Sequence, residues 1–229
     1  MSDVVEIEGG RFRIELKIGV SAISKQMLAD INQACSQAED LGARAVIVVI
    51  LAAREQDRRD SPGFDRVDLQ LLSQWERALA RLENAPGLTL ACAEENCFGT
   101  MLELLLTTDY RLAKPSLQIG LAKSGQPVHP GMAVHRLSSQ LGIAHARPLV
   151  LLGRHIDANA ARHIGLIDEI SDDPCAASDS FIRSLNHCAV QDWSIRRRLL
   201  LEANFTPHQE ALGAHLAACD RFARHASAA

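Results

Sequence analysis

No cysteine pair in this chain has the C-x-x-C spacing. The six cysteines (Cys35, Cys92, Cys97, Cys175, Cys188 and Cys219) form no compact group with histidine. That pattern speaks against zinc, and no metal is expected. No apolar run approaches the ~20 residues of a membrane helix. The opening MSDVVEIEGG lacks a basic segment followed by an apolar one, so it does not read as a signal peptide. Excess positive charge is missing too, because the formal net charge is −4. The lone basic run, Arg196-Arg197-Arg198, reads as the solvated side of a helix, not a nucleic-acid footprint. Internal repeats and low-complexity segments are absent. These absences leave a soluble cytoplasmic protein with reduced thiols and neither nucleic acid nor membrane as partner.

What is present is material for a core. Forty-seven per cent of the 229 residues are hydrophobic, which fits one large domain or one domain with a small appendage. Val4 to Glu8 and Arg11 to Lys17 alternate around Gly9-Gly10 and predict a hairpin. Ser24 can cap a helix that ends at Gly42. Ala45 to Leu51 reads AVIVVIL, a run suited to a strand buried on both faces. Ala52 to Asp65 is charged and irregular and reads as a long loop. Leu69 to Leu82 is an amphipathic helix ended by Pro86-Gly87, with Trp75 in its apolar stripe as a core residue. Strands follow at Leu88 to Ala93, at Tyr110 to Ala113 and near Leu117 to Ile119.

Alternating strands and helices predict an α/β core with parallel pairing. From about Ala144 helices dominate: 144–152, 157–163, 175–188, 194–203 and 206–224, with one late strand over Leu166 to Ile170. The division predicted is therefore residues 1–143 as core and 144–229 as a helical C-terminal region.

The most informative stretch is Cys97 to Asp109, CFGTMLELLLTTD. A Gly-Thr pair opens an apolar run, and one carboxylate, Glu103, sits a turn inside it. Helix-opening N–H groups form a site for developing negative charge. Residues three apart share a helix face, so Glu103 lies on the side of the Thr100 N–H. One group can hold an oxyanion while the other moves a proton. Apolar neighbours desolvate Glu103, and desolvation raises the proton affinity that a general acid/base requires. Asp109 ends the helix and can hold nearby backbone N–H groups. Trp193 reads as core, and His135, His155 and His163 as structural or surface residues.

Three segments carry a resemblance. Gly99-Thr100-Met101-Leu102-Glu103-Leu104 with Thr108-Asp109-Tyr110-Arg111-Leu112-Ala113 resembles GGGCELALACDLRIA. Pro130-Gly131, Arg136-Leu137 and Leu141-Gly142 resemble PGxGGTQRLxxxxG. Residues 151–158 with 161–170 resemble LLTGRRIDAEEALRLGLVNEV. These are segments of the crotonase (enoyl-CoA hydratase/isomerase) superfamily, and the spacing agrees within one residue throughout. QLLSQWERALARLE, TTDYRLA, HPGMAVHRL and the C-terminal RRRLLLEANFTPHQEALGAHLAACDR are similar to one branch, the accessory hydratase/isomerase proteins of dihydroxyphenylglycine assembly.

The resemblance implies a crotonase-like ββα spiral core and an oxyanion hole made by two backbone N–H groups. One falls on Thr100, after Gly99. The other falls on Phe64, in Pro62-Gly63-Phe64-Asp65. The first hydratase glutamate falls on Glu103. The second falls on Lys123, where the family has glutamate. A lone carboxylate cannot share one water between two bases, which leaves single-base chemistry: double-bond migration, loss of water or enolate protonation. Lys123 would instead hold a substrate carboxylate or lower the proton affinity of its neighbour. Gly99 and His129, where the chain returns toward the pocket, complete the candidate pocket.

The implied substrate is an acyl-CoA or acyl-carrier-protein thioester, so CoA or phosphopantetheine enters with it and no separate cofactor is needed. The family's closing DxxEGxxAFxEKRxPxF helix has no counterpart here, which favours a carrier-tethered substrate. The branch implies help to a type III polyketide synthase in making 3,5-dihydroxyphenylacetyl-CoA, alongside related crotonase-like proteins. The family's assembly implies a homotrimer or a dimer of trimers. Two other readings stay open: a non-catalytic partner that activates the synthase, and a decarboxylase of a branched acyl thioester anchored by Lys123.

Overall fold

The structure is a computed structural model that describes residues 4–19, 22–52, 69–122, 131–185 and 193–226. Val4–Ile7 (β1) and Arg11–Ile18 (β2) form the antiparallel hairpin, with Gly9 and Gly10 at positive φ in its turn. Ser24 caps Lys25–Leu41 (α1), its hydroxyl accepting the Met27 N–H at 3.1 Å. Gly42 ends that helix at φ 63°. Ala45–Leu51 (β3) is buried at all seven positions. Next come Leu69–Glu83 (α2), Leu88–Ala93 (β4), Cys97–Phe98 (β5), Thr100–Leu106 (α3), Tyr110–Ala113 (β6) and Gln118–Gly120 (β7). The remainder is Ala133–Val150 (α4), Ile156–Asp157 (β8), Ala158–His163 (α5), Glu169–Ile170 (β9), Pro174–Ser184 (α6), Trp193–Glu202 (α7) and His208–Ala226 (α8).

The main sheet runs β1-β2-β3-β4-β6-β9, and every pair after the hairpin is parallel. Parallel strands need both faces covered. The alternation of β3 shows how this is met. Ile47, Val49 and Leu51 join the core beneath α1 to α5, whereas Val46, Val48 and Ile50 join a second cluster that includes Ile182 of α6. A smaller sheet, β5-β7-β8, pairs Phe98 with Gly120 and Ile119 with Ile156.

Several bounds differ from the sequence reading. The helix expected at 144–152 begins at Ala133 and passes the expected division at 143/144. It kinks at Gly142 (φ 73°) and carries Pro148 inside, which is why its first half does not read as helix. The late strand shrinks to Glu169–Ile170, because β6 offers partners only at Leu112 and Ala113. The helix expected at 175–188 is described as α6, ending at Ser184. Most of the loop expected at 52–65 lies outside the described residues.

The basic run needs a firmer correction. Arg196 and Arg198 are exposed, but Arg197 is buried. Its guanidinium pairs with Asp109 at 2.5 Å and donates to the carbonyl oxygens of Ala85 and Gly87. Helix neighbours point about 100° apart, so one arginine of three can face inward. Asp109 also accepts the N–H and hydroxyl of Thr89, each at 2.9 Å. It is the structural node that its position at the end of a helix predicts.

Candidate active site

The site begins where β5 leaves the small sheet. Gly99 has φ 55° and ψ −119°, backbone that only glycine adopts easily. Its N–H donates to the Leu121 carbonyl at 3.1 Å, and its own carbonyl accepts the Glu103 N–H at 3.0 Å. The chain thus turns sharply and enters α3 at Thr100. Gly99 is exposed and Thr100 half-buried, so the helix opens at an accessible edge.

Glu103 lies one turn further in and is only 6% exposed, among Met101, Leu102 and Leu104 to Leu106. Trp75, fully buried on α2, donates its indole N–H to Glu103 Oε2 at 2.7 Å. The sequence reading placed Trp75 in the core but missed this contact. The available clue was chemical: a buried indole N–H needs an acceptor.

Arg136 of α4 holds α2 in place. It is buried and reaches Glu76, the residue after Trp75, at 3.2 Å and Glu83, about two turns further along α2, at 3.3 Å.

Cys97 sits next to the turn and is fully buried, its thiol donating weakly to the Glu95 carbonyl at 3.7 Å. Burial pushes that thiol up to about 12. It is therefore neutral at physiological pH and is a poor nucleophile. His155 packs its ring against Phe98, 4.8 Å between centroids, and its Nε2 bonds the Ala122 carbonyl at 2.8 Å. It anchors the chain just before position 123. A Cβ on Gly120 would meet His155 Cδ2 at 2.6 Å, so glycine is required there for close packing.

Of the sequence-predicted site residues, Gly99, Thr100 and Glu103 are brought together by one turn and one short helix. Phe64, Lys123 and His129 lie outside the described residues. Among the described residues no group of three or more His, Cys, Asp or Glu could hold a metal ion, and no helix is long and apolar enough to cross a membrane.

Solved structures share this architecture. An enoyl-CoA hydratase from Geobacillus kaustophilus superposes with a TM-score of 0.79 at 20% identity, covering 96% of this chain and 88% of that one. An enoyl-CoA hydratase/isomerase from Marinobacter aquaeolei gives 0.75 at 20% identity, covering 98% and 90%. The fold is thus crotonase-like. The family model for enoyl-CoA hydratase/isomerase matches residues 12–189. A protein of Amycolatopsis orientalis described as an enoyl-CoA-hydratase is 35% identical over 207 residues, covering 90% of this chain and 93% of its own length. The chain belongs to the enoyl-CoA hydratase/isomerase family.

Proposed function

We propose that this protein dehydrates or isomerises a polyketide-type acyl thioester, with one carboxylate as its proton carrier. The observation that carries the reading is the placement of Glu103, buried one turn inside a helix whose opening residue is reachable from solvent. In this reading the thioester oxygen rests on the N–H groups of Thr100 and Phe64. Glu103 takes a proton from the carbon beside that carbonyl, or from one conjugated with it, and returns it elsewhere. Two donors stabilise the enolate; losing one such donor typically costs ~10²–10³ in rate.

CoA or a carrier-protein phosphopantetheine arm arrives as part of the substrate. Lys123 stands where a second hydratase glutamate would, which favours single-base chemistry over addition of water. The C-terminal resemblance to dihydroxyphenylglycine accessory proteins supports a polyketide chain as substrate. It also supports a type III polyketide synthase, with related crotonase-like proteins, as the partner system. A homotrimer or dimer of trimers in the cytoplasm completes the reading.

The test has two arms. In D2O, the protein should exchange the α-protons of acetyl-CoA or butyryl-CoA, read by NMR, and Glu103→Gln should slow exchange by about 10²–10⁴. With malonyl-CoA and a type III synthase, mass spectrometry should show more dehydrated, aromatised product when the protein is added. Full stimulation by Glu103→Gln would leave only a non-catalytic partner role. Loss of activity in Lys123→Ala with Glu103→Gln unaffected would point to decarboxylation instead.

A further inference from the structure

Gly99 joins both halves of the proposed site. The residue after it is Thr100, and its own carbonyl accepts the Glu103 N–H at 3.0 Å. A second segment holds Gly99 in turn, because its N–H donates to the Leu121 carbonyl at 3.1 Å. That segment runs past the end of the small sheet. β7 ends at Gly120, and its ladder with β8 pairs Gln118 with Asp157 and Ile119 with Ile156. One more antiparallel step sets Gly120 against His155. There a side chain takes over from the backbone. The His155 ring fills the place that a Gly120 side chain would need, and its Nε2 reaches on to the Ala122 carbonyl at 2.8 Å. A carbonyl oxygen only accepts, so Nε2 carries the hydrogen of this bond. Consecutive carbonyls are thus held, Leu121 by Gly99 and Ala122 by His155. His155 is itself well fixed along the chain. Arg154 donates its N–H to the Pro148 carbonyl at 3.1 Å, Ile156 lies in β8, and Asp157 caps α5 through the Ala160 N–H at 2.8 Å.

We infer that His155 is a positioning residue: by holding the Ala122 carbonyl it keeps the Leu121 carbonyl, and with it the Gly99 turn, where Thr100 and Glu103 can act together. The inference rests on the proposed function. In this role His155 touches no substrate and moves no proton. It replaces the neighbour that the chain loses where the β7–β8 ladder stops. Backbone without a neighbour opens locally at little cost, and the Leu121 carbonyl would move with it. The turn beyond is sensitive to such movement. Gly99 sits at φ 55° and ψ −119°, and a conformation of that kind persists only while its surroundings fix it. The ring is held against Phe98, 4.8 Å between centroids, so the bond to Ala122 has one fixed direction. If the turn relaxed, the Thr100 N–H and Glu103 would shift relative to each other. Misplacement of about 1 Å can cost about 10²-fold in rate.

The test uses the full chain and reads two quantities by NMR: α-proton exchange of butyryl-CoA in D2O, and solvent exchange of the Gly99 amide. His155→Leu keeps apolar bulk and removes the donor. The Gly99 amide should then exchange about 3- to 10-fold faster, the scale of one lost hydrogen bond. Turnover of butyryl-CoA should slow about 10- to 100-fold with KM changed less than about twofold. His155→Gln returns an N–H donor near the Nε2 position and should bring both readouts to within about threefold of the wild type. A Gly99 amide as protected in His155→Leu as in the wild type, or turnover as fast, overturns the inference and leaves the proposed function standing. So does a His155→Gln protein as impaired as His155→Leu, because packing alone would then explain the loss. Should His155→Leu fail to fold, the imidazole nitrogens of the wild type decide: an Nε2 without hydrogen overturns the inference, and an Nε2–H slow to exchange supports it. A wild-type protein that exchanges no acyl-CoA proton sinks the proposed function, and this positioning role with it.

Discussion

Arg197 and Asp109 meet as a buried ion pair, 2.5 Å apart, that ties α7 to the junction between α3 and β6. The same guanidinium closes the turn between α2 and β4 through the carbonyls of Ala85 and Gly87. The pair therefore fixes both the helix that carries Glu103 and the helix that carries Trp75. Removing one partner strands the other charge without water. Arg197→Met or Asp109→Asn should each cost about 3–5 kcal/mol of unfolding free energy. The double variant should lose clearly less than the sum of the two, since neither charge is then left alone. Urea denaturation of the four proteins checks this; additive losses would show that the two side chains act independently.

Tyr110 offers a cleaner electrostatic measurement because it is the only tyrosine. Its ring stacks on Phe181, 3.9 Å between centroids, and its hydroxyl donates to Glu169 at 3.1 Å. Burial first, and the Glu169 carboxylate second, push the phenol up to about 12 from 10.0. The folded value lies above the unfolded one. The stability this group contributes is therefore complete below pH 10 and is lost as pH rises through about 12. Absorbance at the phenolate band should show ionisation near 12 in the wild type. Glu169→Gln should lower the midpoint without returning it to 10.0, because burial remains. A wild-type midpoint at the ordinary value would contradict the packing around this ring.

Gly99 and Gly87 are both required, for different reasons, and their variants should separate. At Gly99 an added Cβ has room, its nearest neighbour being the Leu121 carbonyl oxygen at 3.9 Å, but φ 55° strains any other residue. Gly99→Ala should cost about 1–3 kcal/mol. It should also shift the Thr100 N–H and depress α-proton exchange beyond the stability loss. At Gly87 the backbone is permissive but a Cβ would lie 2.0 Å from the Ala45 carbonyl oxygen. Gly87→Ala should destabilise by at least about 1–3 kcal/mol through overpacking. Whatever folds should keep normal exchange. Equal exchange defects per unit of stability lost would remove the special role of the Gly99 turn.

How legible these features were in the sequence depends on range. Local chemistry was readable: the AVIVVIL strand, the Ser24 cap and the Gly42 stop all stand where their residues placed them. The burial of Glu103 was readable too, from its apolar neighbours. Contacts set by tertiary packing were not. Ile156–Asp157 is a strand only because β7 supplies a partner, and two residues carry no period; the late strand expected over Leu166 to Ile170 is present but cut to Glu169–Ile170 by the partners β6 offers. Arg197 looked like its exposed neighbours, since nothing local reveals that Asp109 waits 88 residues away. The Trp75–Glu103 bond spans 28 residues and two helices, so the stripe on α2 announced a core residue and concealed its polar edge.

The C-terminal helices leave apolar side chains in water. Leu200 and Phe205 are 73% and 61% exposed, and Leu212 and Leu216 of α8 are 50% and 59% exposed. The more sheltered face of α8 is made by Ala211, Ala214 and Ala218, which are half-buried. The leucines therefore contribute little to the stability of one chain, while a second chain would gain by covering them. In the proposed trimer they would be covered. Leu212→Arg with Leu216→Arg should then convert an oligomer to single chains in light scattering. It should change the melting of dilute protein by no more than about 0.5 kcal/mol, as expected for surface substitutions. The stability of the wild type should rise with concentration, and that of the double variant should not. A wild-type protein that already scatters as a single chain at high concentration would show that these leucines do not mediate self-association.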